Sequence, residues 1–309
     1  VVVTGVWAVG HWGAAKARGV LAVLGVVYGA LTVARVRDYA DGLTLWTDTV
    51  EKFPTSARAH NNLGLELDRR GRSAEALNQF ARAVAIDPRY VSAYYNWGLT
   101  LLGQGRVPDA VQKFESAVGL APGHADAQLA LGNALMRAGA AADAVPHYEA
   151  ALAAAPGAPD AHYNLGVALV EAGRAGDAVT HLRIALQDDP NRAETHYQLG
   201  RAHELLGERE AAERRYIETI QLDRNHVGAH RKLGLLLARR EQLDAAAEHF
   251  GAVLRLEPGD ADTQANLGNV FLLQGRTRDA IAHYEESLRL RPDDARTREN
   301  LRLAREAQP

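Results

Sequence analysis

Residues 161–190 read AHYNLGVALVEAGRAGDAVTHLRIALQDDP, and this stretch decides the fold because its small and large residues return at a fixed spacing. Its first glycine, Gly166, has equivalents every 34 residues, at positions 64, 98, 132, 200, 234 and 268. A period of this length indicates copies of one supersecondary unit that stack on each other. We therefore number seven repeats of 34 residues, which run from residue 57 to residue 294.

Further positions of each repeat keep their residue type and predict two antiparallel helices per repeat. Alanine stands 12 residues after the anchor glycine, as at Ala178, and a large side chain follows four residues later, as at Leu182. The small residues let the two helices approach closely, and we expect the large one, for example Phe80, to fill the gap to the next repeat. A second glycine, such as Gly173, ends the first helix, where a left-handed residue is needed. Proline ends the second helix in six of the seven repeats, with Arg224 as the exception.

The composition excludes several classes of protein. Hydrophobic residues make up 47% of the 309 residues and charged residues 24%, which is typical of a globular chain. The absence of cysteine rules out disulfides, thiolate nucleophiles and Cys-ligated metal sites. A net charge of -3 without a basic stripe indicates no nucleic-acid partner. Because the chain begins with Val1, we expect it to be part of a longer protein.

The Leu-Gly, Gly, Ala, aromatic and Pro signature of residues 57–294 resembles that of the tetratricopeptide-repeat family. The resemblance implies an all-α fold, a right-handed superhelical solenoid of antiparallel helix pairs whose inner surface is lined by the first helix of each repeat. Residues 38–56 continue the register as an N-terminal capping helix, and residues 295–309 form a C-terminal capping helix. Arg302 takes the glycine position there, so we expect the array to end at this helix, since a solenoid needs a polar terminal face.

Residues 1–37 precede the array and are hydrophobic. The 16 residues 19–34 carry no charge, and as a helix they would span ~24 Å of a hydrocarbon core ~30 Å thick. Residues 1–15 form a second uncharged stretch. We predict one or two transmembrane helices and membrane association through residues 1–36, the alternative being an apolar helix buried against the first repeat.

A second resemblance concerns the junction that follows. The run LWTDTV at residues 45–50, then Phe53-Pro54 and RAHNNLG at residues 58–64, resembles the junction in transmembrane and tetratricopeptide-repeat membrane proteins, which are glycosyltransferase-like. The resemblance implies that the repeats lie on the extracytoplasmic side of the membrane and that any catalytic acidic residues lie upstream.

A row of amides and aromatic side chains forms the candidate binding site. Two residues before the anchor glycine stand Asn62, Asn96, Asn164 and Asn266. Three residues before it, in repeats 2, 4 and 5, stand Tyr95, Tyr163 and Tyr197. The family resemblance places the amides in the groove, where each can donate to and accept from a peptide main chain. The tyrosines would add contact area for a partner. The alternative for the asparagines is that Asn-Leu-Gly is simply common in such repeats and the side chain is exposed without binding anything. The alternative for the tyrosines is packing between helices.

We find no constellation for catalysis or metal binding in the sequence. His60, His162, His196 and His230 share one repeat position, so successive copies lie a helix pair apart, on the order of 10 Å, whereas zinc needs ligands ~2 Å away. No phosphate loop, nucleophile elbow or dinucleotide fingerprint is present. We therefore expect no metal, no cofactor and no catalysis by this chain.

The sequence thus predicts a membrane-tethered scaffold for protein–protein interaction, which binds an extended peptide or protein segment in the groove of the array. One alternative is the non-catalytic, substrate-presenting part of a membrane glycosyltransferase. Another is a soluble assembly scaffold.

Overall fold

The computed structural model describes residues 23–28 and 41–307, and within these ranges the chain consists of helices and turns without a strand. Residues 23–28 form a short helical stretch. From residue 41 onward sixteen helices follow one another. Their bounds are α1 Gly42–Lys52, α2 Ala57–Arg69, α3 Ser73–Ile86, α4 Val91–Gly103, α5 Val107–Leu120, α6 Ala125–Arg137, α7 Ala141–Ala154, α8 Pro159–Glu171, α9 Ala175–Asp188, α10 Ala193–Leu205, α11 Arg209–Leu222, α12 Val227–Arg239, α13 Leu243–Leu256, α14 Ala261–Leu273, α15 Thr277–Leu290 and α16 Ala295–Glu306.

The helix ends follow from local sequence signals. The side chain of Ser56 accepts a hydrogen bond from the backbone N–H of Ala59 and so caps α2, at a position where serine is strongly preferred. Asp294 caps α16 in the same way, with bonds from the N–H groups of Arg296 and Thr297. Each repeat has a first helix of 13 residues, as in α2, and a second helix of 14 residues, as in α3.

A close contact between the anchor glycine and the large residue 16 positions later forms the core of each repeat. A Cβ atom added to Gly64 would lie 2.6 Å from the Phe80 ring, and the equivalent distances at the other six anchor glycines are 2.5 to 2.8 Å. The ring of Phe80 therefore lies on the glycine of its own repeat. The cluster that contains Phe80 also has Trp97 of the next repeat packed against it, in agreement with the expectation that this residue fills the gap between repeats. The missing side chain of Gly64 leaves the space that the ring occupies, and Ala76, fully buried, borders that space from α3.

The chain divides into two compact units, one up to Pro122 and one from Gly123 onward. In the N-terminal unit, Leu43 and Trp46 of α1 pack against the core that contains Leu63 and Phe80. Helix α1 thus packs on the first repeat. At Gly42–Lys52 it is shorter than the predicted capping segment, residues 38–56.

The C-terminal unit contains α6 to α16. One of its core clusters includes Leu165, Leu182 and Leu199, which come from three successive helices. At the end of the unit, Leu301 packs near Tyr284. The side chain of Arg302 is 53% exposed and forms ion pairs with Glu299 at 2.6 Å and Glu306 at 2.5 Å. The open face of α16 is accordingly charged.

The all-helical array of helix pairs is confirmed, while the right-handed sense of the superhelix stays a prediction. The predicted membrane segment, residues 1–37, lies outside the described residues except for 23–28. In the part of the chain that the structure describes, no helix combines the length and apolar composition needed to cross a membrane.

Repeat 6 departs from the others at the end of its first helix, and this departure predicts a stabilising substitution. Glu241 stands there with φ of 60°, whereas Gly173 has φ of 76° at the equivalent position. A side chain in the left-handed region costs about 1 to 2 kcal/mol, of which the greater freedom of unfolded glycine offsets about half. We expect Glu241→Gly to raise the free energy of unfolding by about 0.5 to 1 kcal/mol in urea denaturation.

The reverse change at the equivalent site is the matched control. No atom lies within 4 Å of a Cβ added to Gly173, so Gly173→Glu tests backbone strain alone and should destabilise the chain. A loss of stability in Glu241→Gly would contradict the explanation.

Candidate functional site

Within each compact unit, first helices of successive repeats lie side by side, and their polar residues form the candidate site. In the N-terminal unit α2 contacts α4; in the C-terminal unit α6 contacts α8, α8 contacts α10, α12 contacts α14 and α14 contacts α16. We call the surface made by the residues two positions before each anchor glycine the amide row. Its members are Asn62 and Asn96 in the N-terminal unit and Ala130, Asn164, Gln198, Lys232, Asn266 and Asn300 in the C-terminal unit.

In the N-terminal unit the amide row is linked by side-chain hydrogen bonds. Nδ2 of Asn96 donates to Oδ1 of Asn61 over 2.9 Å, and Nδ2 of Asn61 donates to Oδ1 of Asn62 over 3.2 Å. Asn61 is buried, whereas Asn62 and Asn96 are half-buried. The bond from Asn96 ties repeat 2 to repeat 1.

In the C-terminal unit the same link is built around a second asparagine. Nδ2 of Asn164 donates to Oδ1 of Asn133 in the preceding repeat over 3.2 Å, and the hydroxyl of Tyr148 donates to the same oxygen over 2.8 Å. Asn300, Asn269 and Tyr284 repeat this arrangement with distances of 3.0 and 2.8 Å. Burial raises the pKa of Tyr284 to about 12, so its hydroxyl stays protonated and can donate.

Lys232, which interrupts the amides in the sequence, makes an equivalent link with charged groups. Its Nζ lies 3.0 Å from Oε2 of Glu204 in the preceding repeat, and the hydroxyl of Tyr216 donates to that oxygen over 2.8 Å. Lysine and asparagine thus hold successive repeats together through the same position. Part of the function of this row is structural.

The side-chain amides of the row keep unused hydrogen-bonding capacity. Within the described chain, Oδ1 of Asn96 and Oδ1 of Asn164 accept no hydrogen bond, and the side chain of Asn266 makes none. All three side chains are half-buried. Their amino groups, where bonded, point back along the array, which leaves a carbonyl oxygen to accept from a bound group.

The predicted tyrosines are half-buried and pack within the array. The Tyr95 ring lies 6.1 Å from that of Phe114, centroid to centroid. The guanidinium of Arg192 lies 3.8 Å from the centre of the Tyr163 ring, and burial raises the pKa of Tyr163 to about 12. Packing within the array, the alternative that the sequence left open, thus engages both rings, since Tyr163 also packs against the buried cluster that contains Leu165.

Tyr197 of repeat 5 lies among charged side chains. Its ring centroid is 4.6 Å from that of His226, whose Nε2 lies 3.1 Å from Oε2 of Glu194. This carboxylate raises the pKa of His226 by its hydrogen bond, against the opposing effect of burial. Nearby, Arg201 bonds Oε1 of Gln198 and pairs with a glutamate of the preceding repeat. The amide of repeat 5, Gln198, is therefore surrounded by charged groups.

The histidines, which the sequence places too far apart to meet one another along the array, find partners on the second helix. Nδ1 of His162 lies 3.0 Å from Nδ1 of His181, and Nδ1 of His230 lies 2.8 Å from Nδ1 of His249. The spacing of 19 residues was the signal for these contacts, and comparing one repeat position alone missed it. Across the described residues, no three His, Asp or Glu side chains come together as metal ligands would.

Family models match most of this array. A model described as tetratricopeptide repeat matches residues 95–159, 129–193 and 231–295, which together exceed half of the chain. A model described as TPR repeat matches residues 69–105, and a further tetratricopeptide model matches residues 169–233. The chain belongs to the tetratricopeptide-repeat family. Proteins of this family commonly bind proteins or peptides.

Solved tetratricopeptide-repeat structures share the fold at low identity. YrrB, described as having an unusual peptide-binding site, is 22% identical over 60% of this chain and 95% of its own, with a TM-score of 0.57. PilF of Pseudomonas aeruginosa is 21% identical over 69% of this chain and 97% of its own, with a TM-score of 0.59. A repeat protein of Parabacteroides merdae is 14% identical over 84% and 98%, with a TM-score of 0.58. At these identities the likeness concerns the fold.

No curated protein matches the tetratricopeptide-repeat chain significantly. Its binding properties therefore have to come from its own residues, above all from the amide row.

Proposed function

We propose that this tetratricopeptide-repeat protein is a non-catalytic scaffold that holds an extended peptide or protein segment along the amide row. The observation that carries the proposal is the set of half-buried amides whose carbonyl oxygens have no partner within the described chain, Asn96 and Asn164 above all. An extended peptide presents an N–H group and a carbonyl at each residue, which such amides can bind whatever the side chains are. The likeness to YrrB, a repeat protein described as having a peptide-binding site, supports the proposal.

The fixed amino groups contribute to binding by preorganisation. Nδ2 of Asn164 already bonds Asn133, so the rotation of the Asn164 amide is restricted before any peptide arrives. Holding a side chain in its bound orientation removes part of the entropy that association costs, about 0.5 to 1.5 kcal/mol for a flexible side chain. The row is thus suited to main-chain recognition of modest affinity.

Backbone-methylated peptides test this proposal. Peptides selected from a random library on the whole chain would be resynthesised with single N-methyl groups, which remove one main-chain N–H at a time. We expect the N–H groups that reach the row to contribute about 0.5 to 1.5 kcal/mol each, roughly 2-fold to 13-fold in Kd by calorimetry. An alanine scan of the peptide side chains is the control. Selection of no peptide, or an N-methyl scan without effect at any position, would refute main-chain recognition.

We also propose that residues 1–36 tether the array to a membrane and that the repeats lie on its extracytoplasmic side. The support for the tether is the uncharged composition of residues 1–15 and 19–34. The support for the side is the resemblance of the junction at residues 45–64 to transmembrane and tetratricopeptide-repeat membrane proteins. After expression and fractionation, the whole chain should sediment with membranes and require detergent, whereas a version beginning at Asp38 should not. A whole chain that is monomeric without detergent would contradict the tether.

A further inference from the structure

Two histidine pairs in the C-terminal unit join the helices of repeats 4 and 6 in a head-to-head geometry. The Nδ1 atoms of His162 on α8 and His181 on α9 are 3.0 Å apart, and their ring centroids are 5.3 Å apart. For His230 on α12 and His249 on α13 the two distances are 2.8 and 5.1 Å. In both pairs the centroid separation equals the N–N distance plus the two ring radii. The two nitrogens therefore point straight at each other.

This geometry suits a shared proton and does not suit a metal ion. A metal on the line between two nitrogens, about 2 Å from each, would need them about 4 Å apart. Nε2 of His162 lies 3.1 Å from the carbonyl oxygen of Pro156, which can only accept, so this nitrogen carries the proton. Nδ1 of His162 then holds a lone pair, and His181 donates to it. Nε2 of His230 lies 3.1 Å from the Arg224 carbonyl, so repeat 6 has the same arrangement.

Each pair can take up one proton and keep its hydrogen bond, but not two. The first proton goes to Nε2 of His181, which is not engaged in the bond. A second proton has to go to Nδ1 of His162, where it would face the N–H of His181 at 3.0 Å. Two separate histidines of the unfolded chain titrate near pH 6.5. Well below that pH the unfolded chain binds about one more proton per pair than the folded chain does, so folding becomes weaker as the pH falls.

Burial and the surrounding charges modify the titration of the first pair. Burial is the main cause that lowers the pKa of His181, and the charge of His162 acts in the same direction. Glu149 on α7 and Asp177 on α9 raise that pKa, while Arg174, just before α9, lowers it. A pKa below that of the unfolded chain gives stability that is complete above about pH 6.5 and is lost below it.

The second pair has similar surroundings. Burial lowers the pKa of His249, the charge of His230 adds to this effect, and Glu248 opposes it. From α11, Glu213 lines the same surface depression as His249, and it forms an ion pair with Arg240. The negative charges near both pairs are thus partly compensated by arginine.

We propose that the His162–His181 and His230–His249 pairs are acid-sensitive joints, which take up only one proton each while the helices stay packed and thereby weaken the C-terminal unit as the pH falls below about 6. The first histidine of each pair is also bonded to the turn that precedes its repeat, so each pair connects two helices and a turn. Asn164 follows His162 by two residues on α8. Insofar as the amide row binds peptide, which rests on the proposed function, the joints place binding by this unit under pH control.

The array itself supplies a matched variant. In repeat 1 the position of the second histidine is occupied by Gln79, whose side chain lies 2.7 Å from Nδ1 of His60, while Nε2 of His60 bonds the Pro54 carbonyl. An amide therefore fits the joint: Oε1 of Gln79 faces Nδ1 of His60, and an amide can turn either its oxygen or its NH₂ group toward the ring, so it can accept from a protonated nitrogen or donate to a neutral one. The double variant His181→Gln, His249→Gln should fold at pH 7.5. In this variant the folded chain should no longer be limited to one proton per histidine pair.

Urea denaturation of the whole chain followed by circular dichroism tests the joints without any peptide. Between pH 6 and pH 5 we expect the unfolding equilibrium constant of the C-terminal unit to rise by up to about 10-fold per pair, hence up to about 100-fold more in the wild type than in the double variant. All four tryptophans lie within the first 97 residues, so their fluorescence follows the N-terminal side and should respond equally in both proteins. An equal pH response of the circular dichroism in wild type and variant would overturn the proposal.

Nitrogen NMR of the unmodified chain gives a second test that does not depend on the variant. At pH 5 in the folded protein, we expect Nδ1 of His162 and His230 to remain unprotonated, whereas His226, whose pKa is raised by its hydrogen bond to Glu194, is charged. Full protonation of both in a chain that remains folded would refute the joints. Because neither measurement uses a peptide, their failure is distinct from a failure to bind peptides at pH 7.5.

Discussion

Replacing Gly166 with leucine should destabilise the chain by about 1 to 3 kcal/mol or more, because the space above this glycine is already filled. A Cβ at position 166 would lie 2.6 Å from Cδ2 and from Cγ of Leu182, which has no exposed surface. The second-helix backbone is also near, with the nitrogen of Leu182 at 3.5 Å. The added side chain would therefore force α8 and α9 apart. Urea denaturation followed by circular dichroism measures the loss.

The same substitution ten residues later in the same repeat is the control. Gly176 lies on α9, is exposed, and a Cβ added to it would have no atom within 4 Å. Because leucine is a better helix former than glycine, Gly176→Leu should be neutral or stabilise by up to about 1 kcal/mol. Equal destabilisation by the two substitutions would show that the packing of glycine against the second helix does not determine the stability of the repeat.

Removing pairs of amides from the row should weaken peptide binding by about 1 to 3 kcal/mol, roughly 5-fold to 150-fold in Kd. The pairs to replace with alanine are Asn62 and Asn96 in the N-terminal unit and Asn164 and Asn266 in the C-terminal unit. Each amide lost removes about 0.5 to 1.5 kcal/mol of net hydrogen bonding. Since the amides bind main chain, the loss should be similar for peptides of unrelated sequence held by the same unit. Calorimetry with the selected peptides measures it.

Two controls separate binding from folding. Asn78 is exposed on the second helix α3, so Asn78→Ala should leave both affinity and stability unchanged. Asn96 and Asn164 also bond the preceding repeat, so their replacement should lower the free energy of unfolding by about 1 kcal/mol, measured in parallel. An affinity unchanged in both double variants would leave the amide row with its structural function alone.

The order and ends of the helices could be predicted from the sequence because their signals are local. Gly173 ends a helix through its own backbone conformation, and Ser56 begins one through a bond to a residue three positions away. Repetition at a 34-residue period then strengthens each weak local signal by comparison with six others. The family and the all-helical array follow from these features.

The partners of the side chains depended on the tertiary structure. Periodicity shows which residues are equivalent, but it does not show how far each helix is rotated about its axis or which equivalent positions of two helices face each other. For this reason the repeat pattern predicts Phe80 toward the next repeat, but it does not show that the ring of Phe80 also lies on Gly64. Likewise the pattern predicts asparagines that face a ligand, and Asn96 also bonds the preceding repeat.

The histidines illustrate the same division. The sequence by itself determined that His162 and His230 occupy one repeat position, and hence that they lie too far apart to act together. Only the packing of α8 on α9 and of α12 on α13 decided that each meets a second histidine from the opposite helix. The physical reason is that contacts across a helix pair depend on how the two helices cross. The crossing depends in turn on the anchor glycine, which leaves a space on the first helix, and on the large residue of the second helix, which fills that space.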